Sequence, residues 1–144
     1  MNDGLEFRGV PEFNNALRLL EQRMDRAAER ALIEGGETGV RMMRAAANTG
    51  SHSPGEPTSA TPGQGPNRVT GNLLENIDFT SVHPTVGGGK ELLVGVARGA
   101  PYAVPLEKGH FGIRYPFIAR ALEQLRALMP QKFGGSWARA VRGA

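Results

Sequence analysis

A repeating apolar stripe in the first third of the chain constrains its fold more than any other feature. Apolar residues recur at alternating steps of four and three, at Phe13, Leu17, Leu20, Met24, Ala27 or Ala28, and Ala31. This spacing places them on one face of an α-helix and is close to a heptad seam. Charged residues fill the other faces. The pattern therefore predicts an amphipathic helix from Pro11 to Leu32, facing the core or a second subunit. The less favoured alternative is that its arginines reach a polyanion.

Glycines interrupt the pattern just beyond this point. Gly35, Gly36 and Gly39 each cost about 1 kcal/mol relative to alanine in a helix interior. The apolar pattern then resumes from Val40 to Ala47. Two alternatives follow: one long helix with a weak middle, or two helices joined at the Gly35–Gly36 pair.

Composition limits the remaining possibilities. A chain of 144 residues is long enough for one domain, and its 20 glycines and 10 prolines indicate a modest core with irregular connections. The absence of cysteine excludes disulfides, thiolate zinc sites and a cysteine nucleophile. The net charge of +3 is low for a dedicated DNA-binding domain. No signal peptide or membrane-spanning run is present, so we expect a soluble chain made in the cytoplasm.

The rest of the chain predicts an α+β fold. Residues 48–67 are rich in Gly, Pro and Ser, and we predict a flexible loop there, disordered in isolation. A short helix over 68–77 and an antiparallel hairpin follow. The strands of this hairpin are 79–86 and 91–97, joined by a glycine turn.

A turn-rich link after the hairpin, with room for one more short strand, leads into the last helix. We expect this helix to begin at Pro116 and to stop at Pro130. The predicted architecture is thus a long N-terminal helix and a C-terminal helix packed on a small antiparallel sheet. Residues 1–130 form the single domain, and 131–144 form a basic, glycine-containing tail.

No catalytic or metal constellation is evident, and we predict neither a cofactor nor a metal site. The segment Gly87–Lys90 lacks phosphate-loop spacing and leads into a strand. The histidines His52, His83 and His110 are scattered. Glu107, beside an apolar leucine, needs a partner if it is buried, and Arg68, Arg98 or Arg114 could supply one.

Three separated motifs carry a resemblance. The segment Pro66–Leu73 resembles the Pro-x-Arg/Lys-x-Thr-Gly-x-Leu motif of the neck, or tail-completion, proteins of long-tailed bacteriophages. The segment Tyr102–Gly109 is similar to their Tyr-Ala-x-x-x-Glu-x-Gly stretch. The segment Pro116–Ala121 is similar to the Pro-Phe-x-x-Pro-Ala opening of their last helix. The resemblance extends from Glu12 to Met129.

This resemblance implies a structural virion protein and not an enzyme. Such a protein assembles as a homo-oligomeric ring, a hexamer or a multiple of one, at the head–tail junction of the virion. The implied partners are head-completion or connector proteins, tail-terminator proteins, and genomic DNA that passes through the channel without sequence-specific binding. No membrane is implied, and assembly takes place in the host cytoplasm. The alternative function is a small basic nucleic-acid-binding module that uses the arginines of the first helix and the basic tail.

The residues that we predict to matter are structural. Gly71 and Gly109 permit backbone conformations that other residues avoid. Tyr102, Leu73 and Phe117 anchor the core between sheet and helices. The full predicted set of structural or interface residues is Arg68, Thr70, Gly71, Leu73, Tyr102, Glu107, Gly109, Pro116 and Phe117.

Overall fold

Two long helices frame the protein in a computed structural model, which describes residues 8–143. In chain order the elements are α1 (Val10–Ala46), α2 (Asn72–Glu75), β1 (Ile77–Phe79), β2 (His83–Pro84), β3 (Lys90–Glu91), β4 (Val94–Val96), α3 (Ala103–Lys108) and α4 (Ile118–Arg142). The predicted α+β class is confirmed. No helix in the described part of the chain is both long and apolar enough to cross a membrane.

Helix α1 is continuous through its glycines, so the single-helix alternative is the one observed. The glycines are contact points. A Cβ atom on Gly35 would lie 2.7 Å from the Met129 sulfur, and one on Gly36 would lie 2.9 Å from the Phe79 ring. Because a glycine lets neighbouring groups approach the helix axis closely, packing offsets its low helix propensity.

The predicted hairpin is confirmed, in two short antiparallel ladders. Ile77 in β1 pairs with Val96 in β4, and His83 in β2 pairs with Glu91 in β3. The turn between β2 and β3 contains the three consecutive glycines. The strands differ from the predicted ranges in two ways. The first strand begins at Ile77, inside the range predicted for the short helix, and ends at Pro84. Residues 80–82 and 92–93 between the ladders are not in strand conformation.

The structure corrects three predictions about the C-terminal third. Helix α4 continues through Pro130 to Arg142, whereas we predicted an end at Pro130 and a separate tail. It begins at Ile118 with Phe117 as its N-cap, so Pro116 precedes the helix. The link before it, for which we allowed one more short strand, forms helix α3. The helix survives Pro130 because contacts with α1 lie on both sides of that residue, through Met129 and through Ser136.

The core lies where the second half of α1 meets the hairpin and the start of α4. Its largest fully buried side chains are Ile77 and Phe117. By contrast, Phe13 near the start of α1 is 63% exposed. Helices α1 and α4 are antiparallel, and α4 ends with Gly143 beside Arg23. The first turns of α1 therefore extend beyond the end of α4.

Candidate functional site

The three motif segments, far apart in sequence, meet at one place in the structure. The Asn72 side-chain amide in the first segment donates hydrogen bonds to the Tyr102 hydroxyl (3.1 Å) and the Gly99 carbonyl (3.0 Å). The backbone N–H of Tyr115, just before the third segment, donates to the carbonyl of Leu106 (2.8 Å). The second segment thus contacts the first segment on one side and the entry to the third on the other.

Glu107 is a helix cap. Its carboxylate accepts hydrogen bonds from the backbone N–H groups of Phe117 (2.8 Å), Ile118 (2.9 Å) and Ala119 (2.8 Å). These donors have no acceptor within α4, and the N-terminal end of a helix favours negative charge. The predicted arginine partner is therefore incorrect: the partners of this carboxylate are backbone N–H groups. Glu107 holds the third segment against the second.

The two motif glycines have the backbone conformations that we predicted. Gly71 has φ of +89° at the start of α2, and Gly109 has φ of +100° at the end of α3. Side chains with a Cβ rarely adopt such angles. The neighbouring Thr70 hydroxyl accepts a hydrogen bond from the N–H of Asn72 (3.3 Å), which helps to shape the entry to α2.

Two of the three predicted core anchors are buried. Phe117 is fully buried and Leu73 is 7% exposed, but Tyr102 is 42% exposed. The prediction for Tyr102 as a core anchor is therefore wrong. Its hydroxyl needs a polar partner and finds one in Asn72, which keeps the ring at the surface. Pro116 is buried next to Phe117.

Arg68 ties the long loop to the first motif through its backbone, while its side chain is exposed. Its N–H donates to the Gly50 carbonyl (2.7 Å), and its carbonyl accepts from the N–H of His52 (3.1 Å). Further along the loop, the N–H of Gly63 donates to the Arg114 carbonyl (2.8 Å). Residues 48–67 have irregular structure between these ties. Their flexibility stays a prediction.

The loop and the motif segments enclose a cavity of about 470 Å³. No carboxylate of the described residues lines it, and its ionisable side chains are His52, Arg68, Tyr102 and Tyr115. The side chains at its wall are mainly apolar or aromatic, and such a wall suits an apolar group better than a charged one. They include Ala47, Pro66, Leu73, Leu74, Tyr102, Leu106 and Tyr115.

Two residues that hold this region together were not predicted to do so. Asn72 connects the first two motifs. The Arg44 guanidinium donates to the carbonyls of Leu74 (3.1 Å) and Ile77 (3.1 Å), which fixes α1 to α2 and β1. The position of Asn72 directly after the motif glycine was the available signal for it. Arg44 carried none.

The only pKa shift that the structure resolves in residues 8–143 belongs to Lys90. Its ammonium donates to Asp25 (2.6 Å) and to Glu29 (2.8 Å), and these hydrogen bonds raise the pKa of Lys90 above 10.5. The interaction ties the hairpin to α1. Within the same residues, no group of three or more His, Asp or Glu side chains is arranged to hold a metal ion.

Nothing among protein-family profiles, curated proteins or solved structures matches this chain.

Proposed function

We propose that this protein is a structural subunit of the head–tail junction of a long-tailed bacteriophage, which joins the capsid connector to the tail as a homo-oligomeric ring. The specific assignment rests on the ordered resemblance of three motifs. Their convergence in the fold supports it. Gly71, Glu107 and Phe117, one from each motif, have roles in shaping or packing the backbone there.

The observation that carries the oligomeric part is the exposed apolar face at the start of α1. Phe13 is 63% exposed and Leu17 is 43% exposed, and both belong to the heptad-like stripe. From Ala27 onward the same stripe is buried against α4. The stripe therefore continues past the end of its partner helix, as expected of a surface that a second chain covers. Contacts between different faces of neighbouring copies can close into a ring through which DNA passes.

The test is mass measurement by light scattering, for the protein by itself and mixed with connector and tail-terminator proteins. We expect a discrete ring-sized species or a specific complex. Leu17→Asp places a charge on the stripe and should dissociate it. Leu19→Asp is the matched control, because Leu19 is 48% exposed on the opposite side of the same helix. A strict monomer that binds neither partner would exclude the proposal.

A further inference from the structure

Three arginines line one groove at the end of the helix pair. Arg23, Arg26 and Arg30 project from α1 into a concavity of about 290 Å³, whose other wall is the end of α4 at Ala140 and Gly143. Within residues 8–143, none of the three makes a hydrogen bond or an ion pair.

Two acids on the same stretch of α1 bind the hairpin. Asp25 and Glu29 alternate with these arginines along α1, but both bind Lys90 from the hairpin. Arg26 lies three residues after Arg23 and four before Arg30, and like charges at such spacings destabilise a helix. The hairpin therefore holds these two acids at Lys90.

The end of α4 does not neutralise the groove. Arg139 and Arg142 lie in its last turn and add positive charge. The N–H of Gly143 closes the helix onto the Ala140 carbonyl (3.2 Å). Gly143 has φ of +78°, the left-handed conformation of a helix C-cap. The backbone thus satisfies part of the hydrogen-bonding capacity of the last carbonyls. The guanidinium N–H groups of the arginines can therefore donate to a ligand.

We propose that this groove binds the phosphodiester backbone of a nucleic acid strand without reading its sequence. Guanidinium groups match phosphate oxygens in geometry and charge. From Arg23 to Arg30 the helix rises about 10.5 Å, at about 1.5 Å per residue. One DNA strand advances about 3.4 Å per phosphate, so the row matches about three phosphates. Because α1 extends beyond α4 here, the groove is open to a polymer. The site does not depend on ring assembly.

The test is fluorescence anisotropy with a labelled DNA duplex over a salt series. Three phosphate contacts predict a slope of log K against log salt of about −2.7. Combining Arg23→Gln, Arg26→Gln and Arg30→Gln should flatten the slope by about that amount and abolish binding at moderate salt. The charge-matched control combines Arg98→Gln, Arg114→Gln and Arg126→Gln, at exposed positions outside the groove. This control variant should retain the slope of log K against log salt.

Several results would overturn the inference. Equal loss in both triple variants would mean that net charge alone drives binding. No duplex binding at low salt would remove the site, and binding of inorganic phosphate in that case would reassign it to a free anion. Displacement of the duplex by polyglutamate at equal charge concentration would reassign the groove to an acidic protein segment. Light scattering on every variant, run beside the titrations, checks that their oligomeric states are the same.

Discussion

The Ser136 hydroxyl donates a hydrogen bond of 2.8 Å to the backbone carbonyl of Ala27, and both residues are buried. The bond joins the last third of α4 to the middle of α1. It lies six residues beyond Pro130, in the segment that the sequence pattern assigned to a tail. The C-terminal segment is therefore part of the helix pair.

Replacing Ser136 tests this packing. Ser136→Ala removes the hydrogen bond and should lower the free energy of unfolding by about 1 kcal/mol, the net value of a typical buried bond. Chemical denaturation measures the change. Ser81→Ala, at an exposed position, is the control and should be neutral. An unchanged midpoint for Ser136→Ala would mean that residues 131–142 do not pack on α1 in solution.

Substitution by alanine at two glycines in the long helices should change the stability of the protein in opposite directions. Gly36→Ala gains about 1 kcal/mol of helix propensity. Its new Cβ would lie 2.9 Å from both the Phe79 ring and the Leu92 side chain, however, so these must shift. Overpacking of this kind costs about 1–3 kcal/mol, and we expect net destabilisation.

Gly134 in α4 is the matched comparison. Apart from its chain neighbours and the nearby backbone of its own helix, no atom of the described residues lies within 4 Å of a Cβ added there. Gly134→Ala should therefore stabilise the protein by up to about 1 kcal/mol through helix propensity alone. The melting temperatures of the two variants, compared with wild type, show whether each substitution stabilises or destabilises the protein. Stabilisation by Gly36→Ala would contradict the close contact between α1 and the hairpin.

Glu107 should contribute to stability as a cap. Glu107→Ala leaves three N–H groups at the start of α4 without their acceptor, and we expect a loss of about 2 kcal/mol. Glu107→Gln keeps one oxygen acceptor but no charge, and should cost about half as much. Denaturation measures both, with Glu123→Gln on the exposed side of α4 as the control. Equal stability of wild type and Glu107→Ala would exclude the capping role.

The extent to which the sequence predicted this fold depends on the kind of signal. The stripe from Phe13 to Ala31 and the glycine turn of the hairpin are local patterns, and both elements formed where they were expected. Pro130 and Gly36 are local signals too, but their helices continue because distant residues pack against them. A sequence pattern does not contain those distances, so tertiary contacts override the propensity.

The residues of the candidate site fall into the same two groups: those that a local pattern predicted and those whose contacts depend on the fold. The positive φ angles of Gly71 and Gly109 follow from residue type and local motif. The partner of Glu107 does not: sequence reasoning looked for an opposite charge, whereas the fold brings the start of α4 to it. Every α-helix has backbone N–H groups at its N-terminal end whatever its residues are. No residue type in the sequence therefore marks these groups as the partner of Glu107. The arginine groove likewise needed α4 to extend past Pro130 before its wall existed.

The interaction of Lys90 with α1 makes the stabilising contact between the hairpin and this helix dependent on pH. Hydrogen bonds to Asp25 and Glu29 raise its pKa in the folded state above 10.5, the value expected in the unfolded chain. A raised pKa stabilises the folded state fully below the unfolded value, and this stabilisation is lost as the pH rises through the folded value. Wild type should therefore melt above Lys90→Gln at neutral pH, and the difference should shrink above pH 10.5.

The measurement is the melting temperature of both proteins across a pH series that extends into the alkaline range. Other groups that titrate there affect both proteins alike, so the difference isolates Lys90. High salt should reduce the difference at neutral pH, because both carboxylates are partly exposed and their attraction is screened. Lys108→Gln, at an exposed position without a carboxylate partner in the described chain, should show no such trend. A difference between wild type and Lys90→Gln that stays constant through alkaline pH would mean that Lys90 acts through packing of its aliphatic stem, and its charge would then have no part in holding the hairpin.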